Sequence, residues 1–240
     1  MGLTIGLGGG NAGGGGGGGV AGGLIQDMAG VTWTGTAKIT DKTITEFPGA
    51  DFRDCTEIIS LFYNCKNLVS VGEMKNTYRI TNIDGLFDNC ILLKSINVFD
   101  TSAVTIMAFV FNKCQHFERF PLLNTDNVHA YQFMFNGCTS LHTIEFLNMI
   151  NVNDEDRCFN TFKECTSLKT AKISNLGVSL DLSWCKVLSV DSVLFLFNNA
   201  KSGVSGKTIQ LNSLVFDQLT EEQIAIATEK GFSVTSVVKS

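Results

Sequence analysis

The sequence predicts an α/β repeat protein, a solenoid of stacked units carrying a parallel β-ribbon along one side. Three observations predict it. The pattern Phe-x-x-Cys-x-x-Leu/Phe recurs about every 24 residues, at Phe62-Cys65-Leu68, Phe87-Cys90-Leu93, Phe111-Cys114-Phe117, Phe135-Cys138-Leu141 and Phe162-Cys165-Leu168. The residues after each Cys alternate in strand fashion, as in Leu93, Ile96 and Val98 or Leu141, Ile144 and Phe146. The period falls in the range of roughly 20 to 29 residues of leucine-rich units, none of which buries its apolar face alone.

Composition supports a packed core. Hydrophobic residues make up 44% of the 240 residues and charged residues 17%, and 18 Phe stand against 2 Trp and 3 Tyr. The formal charge of −5 argues against a nucleic-acid partner, which would call for a basic face. No run of about 18 apolar residues is present, so no membrane insertion is expected. The opening Met1-Gly2-Leu3-Thr4-Ile5-Gly6 lacks the basic and apolar regions of a secretion signal. Of the 8 Cys, five share one repeat position and are expected as reduced thiols that pack as small hydrophobes. Disulfides between units and a zinc site are the alternatives, but zinc-type C-x-x-C pairs are lacking.

Taken in order, residues 1–23 form a Gly-rich tail with an unbroken run of Gly13, Gly14, Gly15, Gly16, Gly17, Gly18 and Gly19. It reads as a disordered linker or as an anchor gripped by a larger assembly or by its own copies, because glycine lets backbones approach closely. Residues 24–60 read as an N-terminal capping unit, with a strand over Thr36–Thr40 and an out-of-phase Phe52-x-x-Cys55. Residues 61–185 are the repeat body, with helical or irregular turns before each Phe-x-x-Cys and an acidic loop at Asn153-Asp154-Glu155-Asp156. Residues 186–240 read as an α/β C-terminal cap. There Ser189 caps one helix, Thr220-Glu221-Glu222-Gln223 forms a capping box, Gly231 ends the second helix, and strands follow at Lys207–Leu211 and Phe232–Thr235.

No catalytic set emerges, and no cofactor or metal is expected. His116, His129 and His142 are scattered, the repeat thiols are expected buried, and the Gly run lacks the Lys-Ser/Thr of a phosphate-binding loop.

The phrases Phe99-Asp100-Thr101-Ser102-Ala103-Val104, Asn124-Thr125-Asp126-Asn127-Val128 and Met134-Phe135-Asn136-Gly137-Cys138-Thr139-Ser140-Leu141 resemble the BspA-like leucine-rich repeats, over roughly residues 44–185. The resemblance implies a leucine-rich-repeat (BspA-like) solenoid and no catalytic residues. It also implies a place among fibre-type proteins of phages and prophages or bacterial surface adhesins. The closing segment is similar to the ends of such proteins in phages and prophages. The expectation is therefore a non-enzymatic virion protein, a head or tail fibre assembled in the host cytoplasm. Its Gly tail would contact other virion proteins, its copies would form a homotrimer, and its repeats would meet a host-surface glycan or protein. The alternative is a bacterial cell-surface adhesin. Tyr63, Tyr78, His116, Tyr131 and Glu155 are the candidate contact residues, since aromatic residues on an exposed ribbon make good contact groups.

Overall fold

The computed structural model describes residues 5–6, 38–39 and 42–239. The expected Gly13–Gly19 anchor and most of the expected Thr36–Thr40 strand lie outside them. Of the first segments, β1 (Ile5–Gly6) pairs antiparallel with β2 (Lys38–Ile39).

The repeat phrase folds as consecutive tight turns, and its three-residue spacing is the turn spacing. Each Cys N–H donates to the carbonyl of the Phe three residues earlier, as in Cys65 to Phe62, Cys90 to Phe87 and Cys138 to Phe135, all at 3.0 Å. The residue three after the Cys closes the next turn, as Leu68 N–H does on Cys65 O at 3.0 Å and Leu93 on Cys90 at 3.1 Å. The residue before each Cys takes a left-handed backbone: Asn64, Asn89, Lys113, Gly137 and Glu164 have φ between 59° and 75°. Asn and Gly tolerate that region best.

Turns of neighbouring units bond to one another. Phe62 N–H donates to Leu86 O at 2.9 Å, Asn64 to Asp88 O at 2.8 Å, Phe87 to Val110 O at 2.9 Å and Lys113 to Asn136 O at 2.7 Å. Single parallel bridges run along the same body from Glu57 to Asn82, Ile106 and Ala130. Residues one period apart thus sit over each other. Phe47, Phe62, Phe87, Phe111, Phe135 and Phe162 form a buried column, with successive ring centroids 4.9, 5.2, 5.6, 5.7 and 5.9 Å apart. Beside it each thiol donates to the Phe carbonyl of the preceding unit: Cys90 to Phe62 at 3.1 Å, Cys114 to Phe87 at 3.1 Å, Cys138 to Phe111 at 3.0 Å and Cys165 to Phe135 at 3.1 Å. A thiol is small enough for this buried position and supplies a weak donor for a carbonyl that already accepts the turn N–H. All 8 Cys are buried, and none forms a disulfide among the described residues.

The leucine-rich-repeat solenoid with a continuous parallel β-ribbon does not form, and this corrects the expected fold class. The described strands fall into separate small sheets of two or three strands. One pairs β3 (Glu46–Asp51) with β4 (Ser70–Lys75) in parallel. Another orders β5 (Arg119–Phe120), β6 (Thr143–Asn148) and β7 (Thr170–Ser174) in parallel, with a register shift between Ile144 and Leu147. Between these sheets the strand expected at Ile96–Val98 is missing. The Asn97 side-chain amide reaches Val71 O at 3.4 Å, where a strand would present a backbone N–H. β5 stops after two residues because Pro121 has no N–H to donate. Helices are equally sparse. The segments before each Phe-x-x-Cys are turns, and among the described residues helices gather near the C-terminus.

There, β8 (Leu180–Leu182), β9 (Lys207–Asn212) and β10 (Phe232–Val237) form a parallel sheet in the order β10-β9-β8. Between them lie α1 (Val190–Asn199), α2 (Ser213–Phe216) and α3 (Glu221–Thr228). Ser189 caps α1 by accepting from Ser192 N–H, and Thr220 with Gln223 closes both halves of a capping box on α3. Phe232 opens β10 directly after Gly231, whose φ is 98°.

Glycine has a steric role where β3 meets β4. Gly72 lies against Pro48 and Gly49, and a Cβ there would press into the Pro48 carbonyl and come within 2.9 Å of Gly49 N. The obstacle is backbone on a paired strand, so no side-chain rotation relieves it. Gly72→Ala is expected to destabilise the protein by about 3 kcal/mol or more, the range of severe backbone misfits. Urea unfolding followed by circular dichroism measures it, and a change under about 0.5 kcal/mol, typical of surface sites, would contradict the pairing.

Candidate functional site

Of the candidate contact residues, four face solvent and one does not. Tyr63 is 49% exposed on the turn after Phe62, and Tyr78 is 53% exposed in the loop after β4. His116 is exposed, with its Nδ1 3.0 Å from Ile91 O. Glu155 lies in a 3-10 turn (Glu155–Arg157) capped by the Asp154 side chain, which accepts from Asp156 N–H. Tyr131 corrects the sequence reading. It is fully buried, and its hydroxyl donates to Asn148 O at 2.6 Å and lies 3.2 Å from Thr125 O. Burial drives its pKa upward. It is a core residue that ties two units together.

Tyr63 and Tyr78 belong to one repeat unit, between Phe62 and Phe87, and His116 and Glu155 belong to two others. Glu155 borders a cleft of about 250 Å³, lined also by Cys158, Phe159, Asn160, Ser179, Leu180, Asp181, Thr208 and Gln210, and none of the other three candidates lines it. Three parts of the chain build it: the 3-10 turn with the residues that follow, the edge of β8, and β9. The Glu155 carboxylate accepts from Lys207 Nζ at 2.9 Å and from Ser179 Oγ at 3.0 Å. These two partners hold its pKa below the ordinary value, Lys207 contributing most. Asp181 and Gln210 are register partners on β8 and β9. One Asp181 oxygen accepts from Ser183 N–H at 2.8 Å.

The cleft's thiol is not a nucleophile. Cys158 is nearly buried, and burial pushes its pKa up to about 12, with Glu155 and Asp154 adding to the rise. Burial likewise lifts Cys55 to about 11. A reactive Cys needs the opposite setting, exposed and electropositive. Iodoacetamide is therefore expected to leave the native chain unlabelled at pH 8 and to modify all 8 Cys once it is unfolded. Rapid native labelling at Cys158 would contradict this burial. Among the described residues no group of three or more His, Cys, Asp or Glu is placed to hold a metal ion. No described helix is long and apolar enough to cross a membrane.

Sequence reasoning missed an outer aromatic row that runs into the cleft. Phe109 and Phe133 stack with centroids 4.8 Å apart and planes 11° apart, and Phe133 meets Phe159 at 5.6 Å and 78°. Phe109 and Phe133 are half-buried, while Phe159 is 57% exposed. A signal for the row was present. The position two before the column Phe is Ser60, Gly85, Phe109, Phe133 and Asn160, each with φ between 55° and 62°. Ser, Gly and Asn are ordinary turn residues, but the two Phe are not.

No curated protein and no solved structure matches the chain. A family model does match it, over residues 56–176, which take in most of the turn-stacked body. As that span is half of the chain, the protein belongs to the family described as "Mycoplasma protein of unknown function, DUF285".

Proposed function

We propose that the protein is a non-enzymatic structural and attachment protein of a phage particle, a head or tail fibre or appendage. The observation that carries this reading is the way the units are joined. Backbone bonds run from turn to turn along the body, and the core is a ring column flanked by thiols, so the outward loops are held on a stiff support. Such a support suits display and contact with a host-surface glycan or protein. The likeness of the Phe-x-x-Cys units to BspA-like repeats, which occur in fibre-type phage proteins, adds to it. In this reading residues 1–23, with the run Gly13–Gly19, dock onto other virion proteins, and the copies assemble as a homotrimer in the host cytoplasm.

A second reading, a bacterial cell-surface adhesin, draws support from the family's description as a Mycoplasma protein. Both readings make the chain a binding protein and differ in what carries it. Mass spectrometry of purified phage particles and of bacterial envelopes separates them. The phage reading expects the chain in particles, and recovery from envelopes alone would overturn it. Light scattering of the chain with and without residues 1–23 tests the trimer, and a monomer in both samples would count against a Gly-mediated threefold.

A further inference from the structure

We propose that Phe159 and the adjoining cleft form a binding site for a neutral glycan, seating one pyranose ring. This rests on the attachment reading and names the ligand class and the surface used.

Strain gives the first argument. Phe109 and Phe133 hold φ values of 55° and 57°, where a bulky side chain is a true outlier. Neighbouring units fill the same turn position with Ser60, Gly85 and Asn160 at similar φ, so the turn does not require an aromatic residue. Backbone strain of this kind gathers at functional positions. Here it places two rings at the surface, partly open to water, on neighbouring units and in stacking contact with each other. That contact leaves Phe133 to support the third ring. Phe159 is turned 78° out of the stack and is the most exposed of the three, so its ring is not covered as Phe133's is.

Chemistry gives the second. A pyranose has an apolar face of C–H groups and a polar rim of hydroxyls, and it needs an aromatic surface beside fixed donors and acceptors. Phe159 lines the same cleft as Asp181 and Gln210, which lie side by side on β8 and β9. The second Asp181 oxygen and the Gln210 amide have no hydrogen-bond partner among the described residues. A carboxylate acceptor and an amide that both donates and accepts are the pair that reads neighbouring hydroxyls. Thr208 adds a hydroxyl at the wall, while the Ser179 hydroxyl is held by Glu155 and the Thr208 N–H.

Charge narrows the class. Asp181 and Glu155 line the cleft, and the nearby cation Lys207 is already paired with Glu155. An anionic sugar would meet the uncompensated Asp181 carboxylate, with Lys207 already neutralised by Glu155, so the ligand is neutral.

Binding of the full chain to immobilised neutral oligosaccharides tests this: gluco-, galacto- and manno-oligosaccharides and chitotetraose, with polysialic acid and heparin as anionic controls. The site predicts binding to at least one neutral probe and to neither control. Phe159→Ala should weaken that binding roughly tenfold or more, as loss of a central contact ring does, and Gln210→Ala should weaken it as well. Phe159→Trp should keep it. Phe159 and Gln210 are not core residues, so an unchanged unfolding midpoint will separate lost binding from lost folding. No binding to any neutral probe, or binding indifferent to both alanine changes, would overturn the site. If binding depends instead on Tyr63, Tyr78 or His116, this site fails while the attachment reading stands. If the chain is absent from particles and envelopes alike, the attachment reading fails whatever the sugar result.

Discussion

Raising the pH from 8 to about 10 is expected to unfold the protein, because its interior is lined with thiols that ionise freely only in the unfolded chain. Burial pushes the pKa of Cys90, Cys114, Cys138, Cys165 and Cys185 well above the ordinary thiol value, with neighbouring thiols adding to the rise for the first four. A pKa raised in the folded state gives stability that is complete below the unfolded pKa, about 8.5 for a thiol. Above that value the unfolded chain loses protons that the folded chain keeps. Each such thiol then lowers stability by about 1.4 kcal/mol per pH unit, as an upper limit. Acting together, these thiols remove several kcal/mol by about pH 9.5, a large share of the 5–15 kcal/mol of a typical domain. Fluorescence or circular dichroism along a pH series should show a cooperative loss of structure between about pH 9 and 10.5. Cys138→Ala should make the loss less steep, because alanine has no proton to release. Stability that stays flat to pH 11 would mean that the thiols are not buried in the native chain.

Replacing Phe111 by alanine is expected to cost about 3–5 kcal/mol, the range for truncating a large buried ring. Its position justifies the upper part of that range. Phe111 is fully buried and touches four rings: Phe87 at 5.6 Å, Phe135 at 5.7 Å, Phe117 at 4.2 Å and Phe120 at 6.0 Å. Phe87 and Phe135 belong to the units on either side, so the cavity opens in the middle of the stack. Both neighbours are held by turn hydrogen bonds to units beyond them, which limits collapse into the void. Phe159→Ala is the matched control, since an exposed ring should cost far less. Urea unfolding of the two variants makes the comparison, and equal costs would contradict the assignment of an inner column and an outer row.

These expectations show which parts of the molecule are legible in the sequence. The Phe-x-x-Cys-x-x-Leu phrase can be read directly, because one spacing of three serves both turn closure and the alignment of rings. Ser189, Thr220 and Gln223 were legible for a local reason: a cap is made by side chains within three residues of the bonds they complete. The ribbon was misread because apolar alternation in a sequence fixes neither which side chains face inward, Val98 being 62% exposed, nor whether backbones pair. Ile96 and Val98 alternate as a strand would, yet the Asn97 amide reaches Val71 O, and Pro121 cuts β5 short. Tyr131 was misplaced for a related reason. A Tyr looks like a surface residue until a buried carbonyl, here that of Asn148, is found for its hydroxyl.

The site was only partly visible. Glu155 was named from its acidic loop, but the residues that face it, Ser179 and Lys207, come from more than 20 and 50 positions further along. Asp181 and Gln210 meet only through the register of β8 and β9, which no local pattern specifies. Phe109 and Phe133 were readable in principle as aromatic residues in a turn column otherwise filled by Ser, Gly and Asn. The stronger Phe-x-x-Cys signal two residues on concealed them.

Register between units underlies the turn bonds, the thiol column and the aromatic row alike. Nuclear Overhauser contacts between phenylalanine rings, in a chain deuterated except at Phe, measure that register. Contacts are expected for Phe62 with Phe87, Phe87 with Phe111 and Phe111 with Phe135, whose centroids lie 5.2, 5.6 and 5.7 Å apart. None is expected between Phe62 and Phe135. Absence of the neighbour contacts, or rings that meet across two or more units, would show that the units do not stack one period apart.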